Sequence, residues 1–381
     1  MQDDLVEVEF KIGEGRISGW ISVSLGILSV LGVLCFHFPD LLTTPELRSV
    51  YTADQMRYLL YAGMIFAVAF GLVTFVLNRK KLMGAIGISL SLLALWGGGI
   101  SLQVGPRYAV PGYIGVDWFI LDLLMSTMIF IFLEKLYPHI REQKILRPDF
   151  WHDFRYFAGN HLLIGVFSFA ATMTAPTFFS WAVNHNVQAF VSSLPWTIQF
   201  VMAIVVADLV EYAIHRTLHE VKWLWPIHAV HHSVEHMDWL AGSRLHILEP
   251  LVTRALVLVP AFILGIAKEP LIAYIVFAGF QAGLIHANIR WDLGPLKYVL
   301  TSPRYHHWHH SSDEEALDKN YVGHLPVIDW LFGTFYMPKD HEIWPRRYGT
   351  VGQPLPKGVI RQFIYPFTKL SPAEPPNCRP D

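Results

Sequence analysis

Six long apolar runs constrain this chain more than any other feature of its sequence. They span residues 17–36, 59–77, 82–100, 118–133, 162–179 and 198–214. A helix needs about 20 apolar residues to cross the hydrocarbon core of a bilayer, and each run is close to that length. The chain is 53% hydrophobic and only 16% charged, with a mean hydropathy of +0.36. The sequence therefore predicts an all-α, multi-pass transmembrane helical bundle.

A seventh apolar stretch, residues 251–285, is interrupted by Pro260, Lys268, Glu269 and Pro270. Each half is marginal as a membrane span. We therefore expect a helical hairpin that enters the membrane and returns to the same side.

Basic residues in the loops predict the orientation, because Lys and Arg are retained on the cytoplasmic side of a membrane. Three basic residues at 79–81 follow the second run, and four more between 135 and 147 follow the fourth. This spacing places the N-terminus and the segment from residue 215 onward inside. The localisation expected is a multi-pass membrane protein whose active site lies in a helical cap on the cytoplasmic face.

Several classes of protein are disfavoured by the remaining composition. The first 19 residues are acidic and carry no small-residue cleavage site, so we expect no cleaved signal peptide. Cys35 and Cys378 lie far apart and offer neither a disulfide framework nor a thiolate metal site. A net charge of −2 gives no reason to expect a nucleic-acid partner.

Histidines are concentrated in one part of the chain: 13 of the 19 fall between residues 215 and 324. Eight of them form three patterns, which are His215-x-x-x-His219, His228-x-x-His231-His232 and His306-x-x-His309-His310. Residues three and four apart share a helix face, so each pattern should present its imidazoles to a single point. Since a zinc ion takes three or four protein ligands, eight nitrogens indicate two metal ions. His307 lies off the shared face and is expected to support a ligand or to lie at the surface.

Ligand type alone does not choose the metal, because imidazole suits iron, zinc, copper and nickel. A site at a membrane boundary favours a lipid substrate, whose chains offer many C–H bonds. Two redox-active irons could bind and split O2 for attack on such a bond. Soluble di-iron proteins use Glu and Glu-x-x-His ligands, which are absent at the relevant positions here.

Two other kinds of site stay open as alternatives. A membrane haem protein, or a metal-binding protein without oxygenase activity, would also use histidines, although haem needs paired imidazoles at similar depth on spanning helices. A zinc hydrolase is disfavoured, because His219-Glu220 begins the HExxH signature but Trp223 replaces its second histidine.

The histidine patterns belong to a longer series of motifs. In order these are EYAIHRTLHE from Glu211, HAVHHS from His228, HAN from His286, HHWHH from His306, NY from Asn320 and DWLFGTF from Asp329. Their order and spacing resemble those of the fatty acid hydroxylase/sterol desaturase superfamily of integral-membrane, histidine-box di-iron oxygenases.

The resemblance implies a metal-ligand set and a division of the chain. The eight box histidines and His286 would hold two iron ions, which zinc could replace during isolation. Family members often carry His-Pro-x-Glu/Asp after the second box, and this chain keeps His246 and Glu249 but has Ile247 in place of the proline. We therefore predict His246 as a further ligand. The expected parts are N-terminal transmembrane helices (1–148), a connecting segment with one transmembrane helix (149–197), the catalytic domain (198–338) and a Pro-rich cytoplasmic tail with little regular structure (339–381).

Ligating imidazoles normally donate their other N–H to a carboxylate or carbonyl. Carboxylates inside an apolar spanning segment are costly and usually mark a site. Near enough in sequence to support the ligands are Asp208, Glu211, Glu220, Glu249, Asp292 and Asp318. The residues we predict to support the metal site are Asp208, Glu211, Glu249, Asn288 and His324.

The activity implied by the resemblance is an O2-dependent oxidoreductase of lipid biosynthesis. Hydrogen abstraction from a lipid carbon, such as one in a fatty acyl chain or sterol, would lead to hydroxylation by a monooxygenase reaction or to desaturation. No catalytic residue beyond the metal ligands is predicted. The chain has no His-Pro-Gly-Gly haem segment and no cysteine set for an iron–sulfur cluster. Electrons would therefore come from an external reductase, ferredoxin, cytochrome or pterin.

Overall fold

A computed structural model describes residues 16–79, 81–99, 101–106, 112–291, 293–338, 344–352 and 354–369. These residues form α-helices and short 3₁₀ turns, with no β-strand among them. The predicted helical class is confirmed. The predicted supporting residue Asp292 and the basic residue Lys80 lie outside the described residues.

Two compact units divide the chain, residues 1–120 and 121–381. The helices of the first unit are α1 (Arg16–His37), α2 (Pro39–Leu42), α3 (Pro45–Arg48), α4 (Ala53–Leu77) and α5 (Leu82–Trp96). Helix α6 (Val116–Leu136) contains the boundary. The helices that follow are α7 (Phe150–Leu162), α8 (Ile164–Phe179), α9 (His185–Ser193), α10 (Trp196–Glu220), α11 (Trp225–His232), α12 (Leu248–Val257), α13 (Val259–Leu264), α14 (Lys268–His286), α15 (Pro303–His309), α16 (Pro326–Leu331) and α17 (Val359–Lys369).

Small residues allow the three long helices of the first unit to pack closely. Helices α1, α4 and α5 all contact one another. A Cβ added to Gly87 would overlap the Ser22 side chain, and one added to Gly84 would lie 2.6 Å from the carbonyl oxygen of Gly71. The Ser22 hydroxyl donates to the Ala67 carbonyl at 2.6 Å. Close backbone approach of this kind is typical of helices that associate in a membrane.

Within the described residues, five helices are long and apolar enough to cross a membrane, namely α1, α4, α6, α10 and α14. Helices α7 and α8 form a sixth candidate together, bent by 50° at their junction. Helix α5 has 15 residues, so the span predicted at 82–100 is shorter than expected. The predicted multi-pass membrane protein is confirmed by this set of helices.

The interrupted stretch 251–285 forms α12, α13 and α14, and the last of these is longer than expected. The chain turns after α13 at Gly265, whose φ of 74° favours glycine. Beside this turn, Ala267 donates its N–H to Gln199 near the start of α10 at 2.8 Å. The expectation that both halves are marginal spans is wrong for α14, because Lys268, Glu269 and Pro270 occupy its first turn and do not interrupt it.

Regular structure extends into the segment expected to be an irregular tail. Helix α17 covers residues 359–369, so the prediction of little regular structure after residue 338 is wrong there. Its apolar residues Ile360, Phe363, Ile364 and Phe367 recur at helical spacing. The helix contacts α11 and α7.

Buried ion pairs tie α7 to the segment that follows α11. The Arg147 guanidinium donates to Asp153 and to Asp238, each at 2.7 Å. Arg244 also donates to Asp153 from the opposite side. All four side chains are almost fully buried. Removing one partner would leave another charge uncompensated, which costs more than the pair itself contributes.

We expect Asp153→Ala to lower the free energy of unfolding by about 3–5 kcal/mol, because Arg147 and Arg244 would both lose a buried counter-charge. Chemical unfolding in detergent, followed by circular dichroism, measures the change. The matched control is Asp54→Ala, whose carboxylate is 77% exposed in an ion pair with Arg57. A loss in Asp153→Ala no larger than in the control would contradict this assignment.

Candidate metal centre

The ends of four helices bring together His286 and the histidines of the three patterns. His215 and His219 lie in the last turns of α10, and α11 carries His228, His231 and His232. His286 is the last residue of α14. Helix α15 carries His306 and ends at His309, and His310 follows it directly. Proline in the first turn of α11 and of α15 fixes where these two short helices begin.

The imidazoles form two neighbouring groups. In the first group, one ring nitrogen of each member lies within 4.8 Å of the others, and its members are His215, His219, His228, His232 and His309. The second group meets the same condition with His231, His286, His306 and His310. The expectation that each pattern faces a single point is wrong for the second and third patterns. Adjacent helical residues point about 100° apart, so His231 and His232 face different groups while the pairs four apart stay together.

Short contacts between Nε2 atoms mark the centre of each group. In the first group, His228 lies 2.8 Å from His215 and 3.2 Å from His232, and His232 lies 3.0 Å from His309. In the second group, His286 lies 2.9 Å from His306 and 3.2 Å from both His231 and His310.

Backbone carbonyls determine which nitrogen of these rings carries the proton. The Nδ1 atom of His215 lies 2.6 Å from the Tyr321 carbonyl oxygen, and that of His309 lies 2.8 Å from the Lys319 carbonyl oxygen. In the second group, Nδ1 of His286 contacts the Ala282 carbonyl oxygen at 2.7 Å and Nδ1 of His231 contacts that of Arg244 at 3.2 Å. A carbonyl only accepts hydrogen bonds, so each Nδ1 donates and each Nε2 presents a bare lone pair.

Carboxylates, not backbone carbonyls, lie beside the Nδ1 atoms of two other imidazoles. The Asp318 carboxylate lies 3.3 Å from Nδ1 of His219, and that of Glu249 lies 3.0 Å from Nδ1 of His228. The hydrogen bond between His219 and Asp318 orients the ring and raises its basicity as a ligand, whereas Glu249 lies close to His228 without a hydrogen bond to it.

A metal ion fits this arrangement better than a hydrogen-bond network does. His231 and His286 both donate through Nδ1, so no proton is left to place between their facing Nε2 atoms. Bare lone pairs at about 3 Å repel one another unless a cation lies between them. Burial lowers the pKa of His228 to about 3, and burial with neighbouring imidazoles holds the pKa of His232 and His310 well below the usual range. These side chains are therefore neutral at physiological pH, the form that binds metals.

Three other predicted or noted residues lie around the centre, outside the two groups. His246 points away: its Nε2 lies 3.0 Å from the Phe363 carbonyl oxygen of α17, and its Nδ1 accepts from the Leu248 N–H. Asn288 exchanges two hydrogen bonds with the backbone of Ile140. His307 is buried, not at the surface, and its Nε2 contacts the carbonyl oxygen of His286.

Of the other residues predicted to support the metal site, one lies beside a histidine of the first group and three lie elsewhere. Glu249 contacts His228, as described. Asp208, Glu211 and His324 form a separate group, with one ligand atom of each within 4.8 Å of the others. Asp208 accepts from the backbone N–H groups of Gly323, His324 and Leu325 and contacts no ligand imidazole.

Sequence reasoning assigned no role to Asp329, although its motif was noted. The Asp329 carboxylate is fully buried and accepts from the backbone N–H groups of Tyr321 and Val322 at 3.0 and 2.9 Å. It also accepts from the hydroxyls of Tyr305 and Thr334. These bonds hold the segment whose carbonyl at Tyr321 orients His215. An acidic residue within the apolar DWLF segment was the available signal.

Comparison with known proteins identifies relatives of the histidine-bearing part of the chain. The family model for fatty acid hydroxylase matches residues 200–334. Ornithine lipid hydroxylase OlsE of Rhizobium tropici is 28% identical over 70% of this chain and 80% of its own length. Alkylglycerol monooxygenases of Danio rerio and Homo sapiens are each 31% identical, over 40% and 37% of this chain. The chain spans only about a third of those two relatives, 34% and 31%. No solved structure matches the chain.

The matched segment contains all nine histidines of the two groups and the helix ends that carry them. The resemblance seen in the sequence motifs is thereby confirmed. Residues 200–334 thus match the fatty acid hydroxylase family, and the chain is similar to a lipid hydroxylase and to alkylglycerol monooxygenases.

Proposed function

We propose that this protein is a membrane-bound lipid hydroxylase that uses O2, external electrons and two iron ions held by nine imidazoles. The observation that carries the proposal is the convergence of nine imidazoles on two neighbouring points, where α10 and α14, both candidate membrane spans, end. Bound iron supplies O2 activation and the oxidising power needed to attack a C–H bond. Imidazole ligands alone suit zinc equally well, and the oxygenase names of the relatives support iron.

The residues of this chain hold and orient the centre. Carbonyl oxygens of the backbone fix the tautomer of four imidazoles, Asp318 positions His219, and the Glu249 carboxylate lies 3.0 Å from Nδ1 of His228. All nine ligands lie in helix ends or short helices and are mostly buried, which limits the access of bulk water. A rigid, water-poor site keeps a strong oxidant from attacking the protein or being quenched.

A haem site is disfavoured by the same geometry. Haem iron takes at most two axial protein ligands, whereas the two groups gather five and four ring nitrogens, each group within 4.8 Å. The alternative of a membrane haem protein therefore has no support in the arrangement of these residues.

The substrate we propose is a membrane lipid. The relatives' names specify ornithine lipid and alkylglycerol, so these two lipids are the first to be assayed. The ligands at the ends of α10 and α14 would meet a lipid chain at the membrane boundary, and the basic loops favour the cytoplasmic face. The only cysteines are Cys35 and Cys378, too few for an iron–sulfur cluster. An external reductase, ferredoxin, cytochrome or pterin would therefore supply electrons.

The division of the chain also stays a proposal. We place the catalytic domain at residues 198–338, preceded by transmembrane helices at 1–148 and a connecting segment with one further helix at 149–197. The tail at 339–381 would contribute α17, whose Phe363 carbonyl oxygen contacts His246.

An activity assay tests the proposed function. Purified protein in lipid vesicles, supplied with a chemical reductant and isotopically labelled O2, should place one labelled oxygen atom in ornithine lipid or alkylglycerol, detected by mass spectrometry. Labelled product should be absent without reductant. Iron-loaded, reduced protein that gives no oxygenated lipid from a panel of membrane lipids would contradict the proposal.

Single replacements of ligands test the centre itself. We expect His231→Ala and His309→Ala each to abolish hydroxylation and to lower the metal bound per chain below that of the wild type, because each removes a ring nitrogen from one of the two groups. Elemental analysis of detergent-purified protein measures the metal, and membrane insertion should be intact. The control is His185→Ala, an exposed histidine of α9. Full activity in either ligand variant would be incompatible with the proposed ligand set.

Removing a supporting carboxylate should weaken metal binding less severely. We expect Glu249→Gln to lower metal affinity roughly 10–100-fold, because the charge that raises the basicity of His228 is lost. Competition with a coloured chelator measures the affinity. The control is Glu220→Gln, a half-exposed carboxylate that pairs with Arg216. Equal affinities in these two variants would show that Glu249 does not act through His228.

A further inference from the structure

A third cluster of ligand atoms lies in the second unit, separate from the nine histidines. Asp208 and Glu211 are about one turn apart on α10, and His324 follows α15 in the chain. One oxygen of each carboxylate and one ring nitrogen of His324 lie within 4.8 Å of one another. The three residues were expected to support the iron ligands, but their side chains converge on a point of their own.

His324 is the member whose chemistry is unexplained. The side chain is 3% exposed, and neither ring nitrogen has a hydrogen-bond partner among the described residues. The adjacent Gly323 carbonyl accepts from the Thr301 hydroxyl at 2.6 Å. The rings of Tyr274 and Phe277 enclose the imidazole, with centroids 5.9 and 5.2 Å away. A buried imidazole with no partner is costly, so a missing ligand is the simplest explanation.

Charge balance indicates the kind of ligand. Two carboxylates close together in an apolar helix repel each other and are expensive to keep ionised. Among the charges that act on Glu211, Glu249 adds repulsion and Arg254 opposes it. A divalent cation bound by two carboxylates and one neutral imidazole gives a site with no net charge. Burying this neutral set of metal and ligands costs less than burying two ionised carboxylates without a counter-charge.

The site is held in place by the backbone of the loop. Asp208 Oδ1 accepts from the N–H groups of Gly323 and His324 at 3.0 and 3.1 Å, and Oδ2 accepts from that of Leu325 at 2.7 Å. Ligating carboxylates are commonly hydrogen-bonded in this way, since two oxygens offer about four lone pairs. A Cβ on residue 323 would lie 3.2 Å from the Glu211 carboxylate, so glycine allows the loop to approach closely.

We propose that Asp208, Glu211 and His324 bind a third divalent metal ion. Two oxygen ligands and one imidazole suit zinc, manganese or iron(II). The ion would tie α10 to the loop at 321–325, whose Tyr321 carbonyl oxygen orients His215. Its role would be to hold that loop in position. The proposal is independent of which metal occupies the dinuclear centre and of the substrate.

Elemental analysis of the full-length protein in detergent tests the proposal, after loosely bound metal is removed by a chelator wash. Total zinc, manganese and iron should be about three ions per wild-type chain, and about two in His324→Ala and in Glu211→Gln. Glu211→Gln keeps the size of the side chain. The control is Tyr274→Phe, which keeps the ring that encloses His324 and should retain about three ions.

Several results of this metal analysis would overturn the proposed third site. A wild-type count of about two overturns the proposal whatever the variants do. The proposal is also overturned if both variants keep all of their metal, or if both lose all of it. A separate third site requires that each variant lose one ion and keep the others. The two ions retained in a supporting result also show that the dinuclear centre is folded. Failure of the proposed function would instead appear as absence of lipid oxygenation, with the metal count unaffected.

Discussion

A hydrogen bond from imidazole Nδ1 to an acceptor behind the ring is the interaction on which the metal centre depends. The carbonyl oxygens of Tyr321, Arg244, Ala282 and Lys319 accept these bonds. Each bond places the proton on the outer nitrogen and turns a bare lone pair inward. Without these acceptors, the same buried imidazoles could pair with one another by hydrogen bonds. The geometry of the backbone thus gives these histidines the tautomer that the proposed metal ligands need.

Buried polar contacts elsewhere in the second unit serve this geometry. Arg244 donates to Asp153 through its side chain while its own carbonyl oxygen faces His231. The ion pairs of Arg147 with Asp153 and Asp238 fix the same region from the other side. Asp329 and Asp208 hold the loop that contains Tyr321 by accepting from its backbone N–H groups. Asp153, Asp208 and Asp329 therefore support the segments whose carbonyl oxygens face the imidazoles.

Much of this arrangement could be predicted from the sequence, because apolar length and histidine spacing are local properties. The apolar runs predicted most of the candidate spanning helices, the three patterns named eight of the nine converging histidines, and the resemblance added His286. The assignment of His231 and His232 to different groups was not predicted, since it depends on how α11 faces two other helix ends. The acceptors of the Nδ1 hydrogen bonds are backbone carbonyls. Every residue has one, so the sequence could not show which of them would face an imidazole. His246 matched a motif, but its ring contacts α17, a helix that the sequence analysis had treated as irregular.

Iron K-edge X-ray absorption on iron-loaded, wild-type protein is the most direct test of the converging lone pairs. The account predicts a first shell dominated by imidazole nitrogen, recognised by the multiple-scattering pattern of the ring carbons, and no sulfur. A first shell made mainly of oxygen, without that imidazole pattern, would show that the iron binds elsewhere and would contradict the central claim.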